Sequence, residues 1–349
     1  MSPQFGGKLS ATQERDFAQS GHFEAGRFVN EEVIDMDMTA SKVTAILRQM
    51  VFPDNRIRPA ENIRVVRLDP ARIGSNDVEI TRVVWLGHSS FLIEMDGQVI
   101  LIDPVFSDYA APHAMLGRKR FNDAMPFELG ELPRVDAVLI SHDHYDHLDY
   151  ATVRQLKDRV GRVIVPLGVG NHFRAWGVAE DRIEELDWWE ETHLGSITLA
   201  LTPARHSSGR GLTDQNTTLW GSWCLLGERQ KLFFSGDGGY SKYFREIGET
   251  YGPFDFGMIE CGQYDVKWAD VHMSPEESVQ AGIDVRAKTI MPIHWGAFSL
   301  ANHPWTEPVE RFRQRAADLG VAISTPRIGE VITIHSDAYP TVQWWKQFN

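Results

Sequence analysis

The chain has 349 residues, of which 42% are hydrophobic and 24% are charged. At roughly 150 residues per domain, this length predicts one large domain or two small ones, and the composition excludes a disordered chain, a collagen and a coiled coil. Lys and Arg number 35 against 48 Asp and Glu, which gives a formal net charge of −13. Because phosphate backbones bind clustered positive charge, this acidic balance argues against nucleic acid as a partner.

Cysteine usage and the N-terminal sequence bear on the cell compartment. Cys224 and Cys261 lie in apolar surroundings, which predicts buried free thiols rather than a disulfide framework. The first residues lack a basic stretch followed by an apolar one, so we predict no signal peptide. No apolar run approaches the roughly 20 residues of a membrane span. We therefore expect a cytoplasmic protein; a peripheral membrane contact and a homo-oligomer both stay open.

The chain divides into a polar N-terminal part and a longer part rich in strand signals. We interpret residues 1–60, with one amphipathic helix predicted at 38–50, as an extension that packs on the core domain of residues 61–349. Strands are predicted at 81–86, 90–95, 98–102, 137–140, 162–165, 182–186, 197–202, 219–226, 231–234, 254–260, 289–293 and 330–334, and helices at 150–160, 170–176, 241–251, 274–287 and 307–319.

Two local signals support these elements. Asp96-Gly97 between alternating apolar runs predicts a β-hairpin. Ser274-Pro275-Glu276-Glu277 predicts a capping box with Pro at the first helical position, and the helix that it begins should run to Ala287. Blocks of hairpin-connected strands followed by helices occur twice. This order favours an α/β (α+β) fold of the αββα sandwich type, in which two mixed β-sheets pack together with helices outside.

The segment SHDHYDHLD, residues 141–149, follows the apolar run VDAVLI. It places His142, His144, Asp146 and His147 within six residues. Imidazole nitrogens and carboxylate oxygens are ligands that suit Zn²⁺ and neighbouring metals, and a strand end can hold ligands rigidly at a cleft. A polar surface loop is the alternative, but this spacing directly after an apolar strand is rare by chance. We therefore predict a metal site.

Later strand ends add three more candidate ligands. His206 follows ITLALTPAR, Asp237 follows KLFFSG, and His294 follows TIMPI. Seven ligands exceed what one tetrahedral ion needs and suit two ions, with Asp237 as the natural carboxylate bridge. Two metals about 3.5–4 Å apart can clamp a tetrahedral oxyanion or a phosphate.

With these motifs in place, the sequence resembles the metallo-β-lactamase superfamily, and within it the N-acyl-phosphatidylethanolamine phospholipase D family. The metal motif is typical of the whole superfamily, whereas the Trp-rich blocks and HWGAFSLAN are specific to this family. The resemblance spans roughly residues 50–335 and is carried by VVWLGHSSFLIEMDG, LIDPVFS, ELPRVDAVLISHDHYDHLD, ELDWWEE, LTPARH, LWGSW, FFSGDGGY, GPFDFGMI, HMSPEESV and IHWGAFSLAN.

The resemblance implies two Zn²⁺ ions per chain, with Mn²⁺ or Fe²⁺ as alternatives. Asp146 and Asp237 would then be catalytic groups as well as ligands. Asp103 in LIDP would orient a ligand, although a strand-end turn before Pro104 is the alternative. One departure is Asp143, where animal members of the family have Asn. The implied ligand sets are His142, His144 and His206 on one metal, and Asp146, His147 and His294 on the other, with Asp237 bridging them.

Four further residues are candidates near the substrate. The family places a phosphate-contacting His at His272, just before the capping box, and we expect it to be catalytic and substrate-binding; a surface His before a helix is the alternative. His88 in LGHSS is expected to be a hydrogen-bonded residue near the floor of the site. Trp220 and Trp223 are expected to line an apolar groove for acyl chains, with plain core packing as the alternative.

The predicted function is a dinuclear zinc phosphodiesterase of the phospholipase D type. It would cleave N-acyl-phosphatidylethanolamine or another small phosphodiester, giving an N-acylethanolamine and phosphatidic acid. Hydrolysis of a lactone or a β-lactam in the same site is the first alternative, because a fold does not determine a function. A non-catalytic metal-binding regulatory protein is the second, against which the full set of seven ligands argues.

Overall fold

The structure is a computed structural model, and it describes residues 2–34, 44, 56–74 and 78–349 of the chain. The helix predicted at 38–50 lies outside these residues except for Thr44. The strands are β1 (Phe23–Glu24), β2 (Arg27–Phe28), β3 (Arg82–Gly87), β4 (Ser90–Met95), β5 (Gln98–Ile102), β6 (Val135–Leu139), β7 (Val160–Pro166), β8 (Ile183–Leu186), β9 (Glu191–Leu194), β10 (Ile197–Thr202), β11 (Ser222–Leu226), β12 (Lys231–Phe234), β13 (Phe256–Glu260), β14 (Thr289–Ile293), β15 (Ala322–Ile323) and β16 (Val331–Thr333). The α-helices in the described ranges are α1 (Ala11–Phe17), α2 (Tyr150–Leu156), α3 (Gly170–Ala175), α4 (Tyr243–Thr250), α5 (Pro275–Asp284) and α6 (Glu307–Leu319).

Two mixed sheets of seven strands make up the body of the molecule, while β1 and β2 form a separate ribbon. In the first sheet, the order is β16-β3-β4-β5-β6-β7-β8; pairing is antiparallel from β16 to β5 and parallel from β5 to β8. The second sheet repeats this design, antiparallel from β9 to β12 and parallel from β12 to β15. The predicted αββα sandwich is confirmed.

Strand β3 shows how the sequence produces the layers. Successive side chains of a strand point to opposite faces, and a strand covered on both faces is apolar throughout. Val83 and Trp85 belong to the core between the two sheets, whereas Val84 and Leu86 pack into the layer beneath the outer helices. All four residues are at most 2% exposed. Burial on both faces explains why the strand is a continuous apolar run.

The predicted capping box is present at the start of α5. The Ser274 hydroxyl accepts a hydrogen bond from the Glu277 backbone N–H, and the Glu277 carboxylate accepts one from the Ser274 N–H. The helix ends at Asp284, three residues before the predicted end, because Arg286 adopts a left-handed conformation with φ of 60°. The prediction that Cys224 and Cys261 are buried free thiols is also confirmed.

Strand β11 begins at Ser222, not at Leu219 as predicted. The Leu219 N–H donates to the Leu167 carbonyl, and the Gly221 N–H donates to the Ser141 carbonyl. Both acceptors follow strands of the first sheet, so this part of the chain joins the two sheets instead of extending one. Every α-helix in the described ranges is too short or too polar to cross a lipid bilayer.

Candidate metal centre

The loops that follow four strands meet at one edge of the sandwich and bring the seven predicted ligands together. Their ring nitrogens and carboxylate oxygens fall into overlapping groups, each with all its atoms within 4.8 Å of one another. Strand ends are rigid supports, which explains how ligands far apart in sequence converge. The loop after β6 carries His142, His144, Asp146 and His147; His206 follows β10, Asp237 follows β12 and His294 follows β14.

The first group consists of three imidazoles. Nδ1 of His144 lies 2.8 Å from Nε2 of His142 and 3.3 Å from Nε2 of His206. Burial, together with the neighbouring histidines, lowers the pKa of His142 and of His206 well below its usual value. Both rings are therefore neutral at pH 7, which is the form of imidazole that binds a metal.

The second group surrounds the Asp146 carboxylate. Its Oδ2 atom lies 3.1 Å from Nε2 of His294, 3.5 Å from Nε2 of His147 and 2.8 Å from Nε2 of His88. Burial opposes charge on His294, but Asp237, Asp146 and Glu260 outweigh it and raise the pKa of that ring to about 10. The second group thus contains a carboxylate, which the first group lacks.

Asp237 lies between the two groups. Its Oδ2 is 3.0 Å from Nε2 of His294, 3.1 Å from Nε2 of His147 and 4.0 Å from Nε2 of His142. Its other oxygen, Oδ1, is buried without a hydrogen-bond partner among the described residues. A buried carboxylate oxygen without a partner needs an explanation. An oxygen in this position, beside two sets of imidazoles, fits the donor set of a dinuclear metal centre.

The outward ring nitrogens of these histidines are held by acceptors. Nδ1 of His147 lies 2.7 Å from Oδ2 of Asp103, and Nδ1 of His206 lies 3.0 Å from the Val271 carbonyl oxygen. Such contacts set the tautomer and the orientation of a metal-binding ring, so that Nε2 is left for the metal. The Asp103 carboxylate also accepts a 2.7 Å hydrogen bond from the Ser141 N–H, which ties it to the loop that bears the first ligands.

Three residues of the site adopt left-handed backbone conformations. His88, Asp103 and His294 have φ of 57°, 43° and 64°. Such values are uncommon for residues with a Cβ atom and cluster at functional sites, where the surrounding structure imposes them. The backbone of His88 also pairs with the segment around His294, because its carbonyl accepts from the His294 N–H at 3.1 Å. His88 is therefore fixed beside His294 and Asp146, and it is fully buried.

Glu260 was not predicted from the sequence. It is fully buried at the end of β13. Its carboxylate accepts a 2.9 Å hydrogen bond from the Gly238 N–H, lies 3.3 Å from Nδ1 of His294 and hydrogen-bonds Nδ1 of His272. The sequence did contain a signal for Glu260: a charged residue stands at the end of an apolar strand. The same kind of signal identified Asp237.

His272 lies on the wall of the site. Its ring stacks on that of His294, with centroids 5.3 Å apart and an interplanar angle of 4°, and meets His206 edge-on at 5.2 Å. It faces a cleft of about 380 Å³ that is also lined by His144, Asp146, His206, Asp237 and His294. The same cleft is lined by Ser207, Gln215, Gln263, Trp268, Val271 and Leu300.

The prediction that Trp220 and Trp223 line a groove is wrong. Both rings are fully buried in the core between the sheets. The indole N–H of Trp220 donates to the Ala204 carbonyl at 2.9 Å, and that of Trp223 to the Ile140 carbonyl at 3.0 Å. Each acceptor stands two residues before a predicted ligand, His206 or His142. These tryptophans therefore anchor the backbone that enters the site.

Comparison with known proteins agrees with this geometry. Residues 98–295 match the model of the beta-lactamase superfamily domain. The structure of Igni18, a metallo hydrolase from Ignicoccus hospitalis, aligns with a TM-score of 0.56 at 19% identity, covering 74% of this chain and all of that one. The fold and site are those of a metal-dependent hydrolase of the metallo-β-lactamase superfamily.

Two relatives narrow the assignment. The uncharacterized protein Rv0906 of Mycobacterium tuberculosis is 42% identical over 335 residues, which are 94% of this chain and 88% of that protein. N-acyl-phosphatidylethanolamine-hydrolyzing phospholipase D 1 of Caenorhabditis elegans is 35% identical over 243 residues, which are 66% of this chain and 68% of that protein. Within the superfamily, the chain belongs to the N-acyl-phosphatidylethanolamine phospholipase D-like family.

Proposed function

We propose that the protein is a dinuclear metal phosphodiesterase of the phospholipase D type, acting on N-acyl-phosphatidylethanolamine or a similar phosphodiester. The observation that carries the proposal is Asp237, whose buried carboxylate stands between two sets of imidazoles with one oxygen unpartnered among the described residues. The 35% identity to the phospholipase D of Caenorhabditis elegans supports the choice of substrate class.

The proposed ligand sets follow the two groups. One metal would be held by His142, His144 and His206, and the other by Asp146, His147 and His294, with Asp237 shared. When bound, the metals, zinc in this proposal, supply Lewis acidity and lower the pKa of water toward neutrality. The protein supplies rigidly positioned donors for them, because the indoles of Trp220 and Trp223 fix the chain ahead of two ligands.

His272 is the proposed contact for the phosphate. The described residues that line the cleft include no Lys or Arg, so the non-bridging oxygens of a phosphodiester depend on the imidazoles there and on the metals. Nδ1 of His272 pairs with the Glu260 carboxylate, and in this proposal the ring acts as an imidazolium, whose Nε2–H donates a hydrogen bond to an anion. A hydrogen bond to a charged group contributes typically about 1.5–3 kcal/mol. This contact orients the phosphate with respect to the cleft wall.

The test is a substrate screen on purified protein with the metal content measured on the same sample. We expect hydrolysis of bis-(p-nitrophenyl) phosphate and of N-acyl-phosphatidylethanolamine, stopped by a chelator and restored by zinc. Hydrolysis confined to a lactone or a β-lactam would move the function to that class. Absence of turnover by fully metallated protein would contradict an enzymatic role and favour a regulatory one.

A further inference from the structure

The side-chain amide of Asn30 pairs with the backbone of His206 in both directions. Its Nδ2 donates to the His206 carbonyl at 2.7 Å, and its Oδ1 accepts from the His206 N–H at 3.1 Å. Two hydrogen bonds from one amide to the N–H and the C=O of the same residue leave that residue's backbone little freedom to turn or slide. Asn30 is 176 residues away in the chain, so this contact is a feature of the fold and not of the local sequence.

Arg205, the residue before His206, is also held by the N-terminal segment. The Arg205 guanidinium donates to the Val33 carbonyl at 2.6 Å and pairs with Asp270 at 2.8 Å. The Arg205 carbonyl accepts from the Gly239 N–H at 2.9 Å. A network therefore runs from the N-terminal segment through Arg205 to the chain just beyond Asp237.

The segment that carries Asn30 is itself anchored in the core. Phe28, two residues earlier, is fully buried and packs on Phe17 and Phe23 with ring centroids 5.5 and 4.8 Å away. The Phe28 N–H donates to the Asn216 carbonyl at 2.7 Å. Because this segment is anchored, Asn30 does not move freely as it would on an unattached tail. It can therefore hold the His206 backbone in place.

The other end of the segment reaches the loop that carries His142 and His144. The Gln4 carbonyl accepts from Nε of Arg210 at 3.0 Å. Arg210 in turn donates to the carbonyl of Asp143, which stands between these two histidines, at 2.6 Å. Residues 2–34 thus contact, directly or through one side chain, both loops that supply the His142, His144 and His206 group.

We propose that residues 2–34 are part of the metal centre and that Asn30 is a positioning residue for His206. Its effect is confined to the metal position formed by His142, His144 and His206. The inference rests on the proposed function, since it assumes that these histidines bind a metal. Asn30 would act through the His206 backbone and would not touch the metal. Outer partners of metal ligands change metal affinity by roughly 10- to 100-fold when they are removed.

The experiment is a titration of metal-free full-length protein with Co²⁺, followed by visible absorption, together with zinc content by elemental analysis. Asn30→Ala removes both hydrogen bonds, whereas Asn30→Asp keeps the acceptor for the His206 N–H and loses the donor. Asn62→Ala is the control, because Asn62 is an exposed amide that pairs with Asp123 and does not line the cleft. Thermal unfolding of each metal-free variant reports folding separately.

We expect Asn30→Ala to bind one Co²⁺ like the wild type and the other roughly 10- to 100-fold more weakly, with Asn62→Ala unchanged. Asn30→Asp should be weakened in the same position, and it supplies the answer if Asn30→Ala does not fold. Equal loss at both positions, or two unchanged dissociation constants, would overturn the role of Asn30. Wild-type protein that binds no metal would instead contradict the proposed function, so the two failures are distinguishable.

Discussion

Oδ2 of Asp103 lies 2.7 Å from Nδ1 of His147, and both side chains are fully buried. This contact turns the opposite ring nitrogen of His147 toward Asp237, 3.1 Å away. Asp103 comes from the end of β5 and His147 from the loop after β6, two neighbouring parallel strands. One carboxylate therefore sets the direction of a candidate ligand without itself belonging to either group of donors.

Asp103→Asn should weaken metal binding without unfolding the protein. The amide keeps the size of the side chain but loses the charge that favours the His147 N–H, so we expect the dissociation constant for metal to rise roughly 10- to 100-fold. A competition titration against a chelator measures it. Asp123→Asn, on the surface, is the matched control, and an unchanged dissociation constant in Asp103→Asn would show that the contact does not support metal binding.

Asp237→Ala should be the most damaging single change among the seven candidate ligands. It removes a donor next to both groups, whereas each histidine belongs mainly to one. We expect loss of measurable phosphodiesterase activity and a fall in bound zinc from about two ions to about one or fewer per chain. Elemental analysis and an assay on the same preparation test this. Near-normal activity in the variant would exclude a bridging role.

His272→Ala should lower phosphodiesterase kcat/KM by roughly ten- to a hundredfold, which corresponds to the loss of one hydrogen bond to a charged group of about 1.5–3 kcal/mol. The zinc content should stay that of the wild type, because His272 is not among the proposed ligands. Loss of zinc would mean that His272 is a ligand. Full activity on a phospholipid would remove it from the substrate contacts.

Asp143→Asn should destabilise the fold. The buried carboxylate accepts hydrogen bonds from the Gly209 N–H at 2.7 Å and the Thr218 hydroxyl at 3.0 Å, and it pairs with His172 at 3.1 Å. Burial alone would raise the pKa of Asp143, but His172, His144 and the Gly209 N–H outweigh it and hold that pKa below its usual value.

An amide at position 143 would turn an N–H toward one of these donors. We expect the free energy of unfolding to fall by about 1–3 kcal/mol, measured by urea denaturation of metal-free protein. The double variant Asp143→Asn with His172→Ala tests the cause. If the two losses simply add, Asp143 and His172 do not act as a pair.

The candidate metal ligands were more predictable from the sequence than the residues around them, for a physical reason. Ligands such as Asp237 and His294 follow directly on apolar strands, so the sequence places each at a strand end. Asn30 gives no such signal, because it lies in a polar segment and its partner is remote in the chain. The prediction for Trp220 and Trp223 was wrong because a pair of tryptophans looks the same in the sequence whether it lines a groove or packs in a core. Only the acceptors of their indole N–H groups distinguish a groove from a core.

The order of the strands within each sheet is equally hard to predict from the sequence. The alternation of strands and helices predicts two sheets, but no local feature of residues 330–334 indicates that β16 pairs with β3. That pairing is decided by packing across the whole molecule. The left-handed conformations of His88, Asp103 and His294 are likewise not readable from the sequence, since only a small minority of residues with a Cβ atom adopt them.

The position of β16 beside β3 has a consequence for biosynthesis. A ribosome releases the chain from its N-terminus, so the partner that completes the edge of the first sheet emerges after every strand of the second sheet. His294, the last of the candidate ligands, emerges late as well. Until His294 has emerged, a nascent chain therefore presents an incoming ion with only part of the candidate donor set.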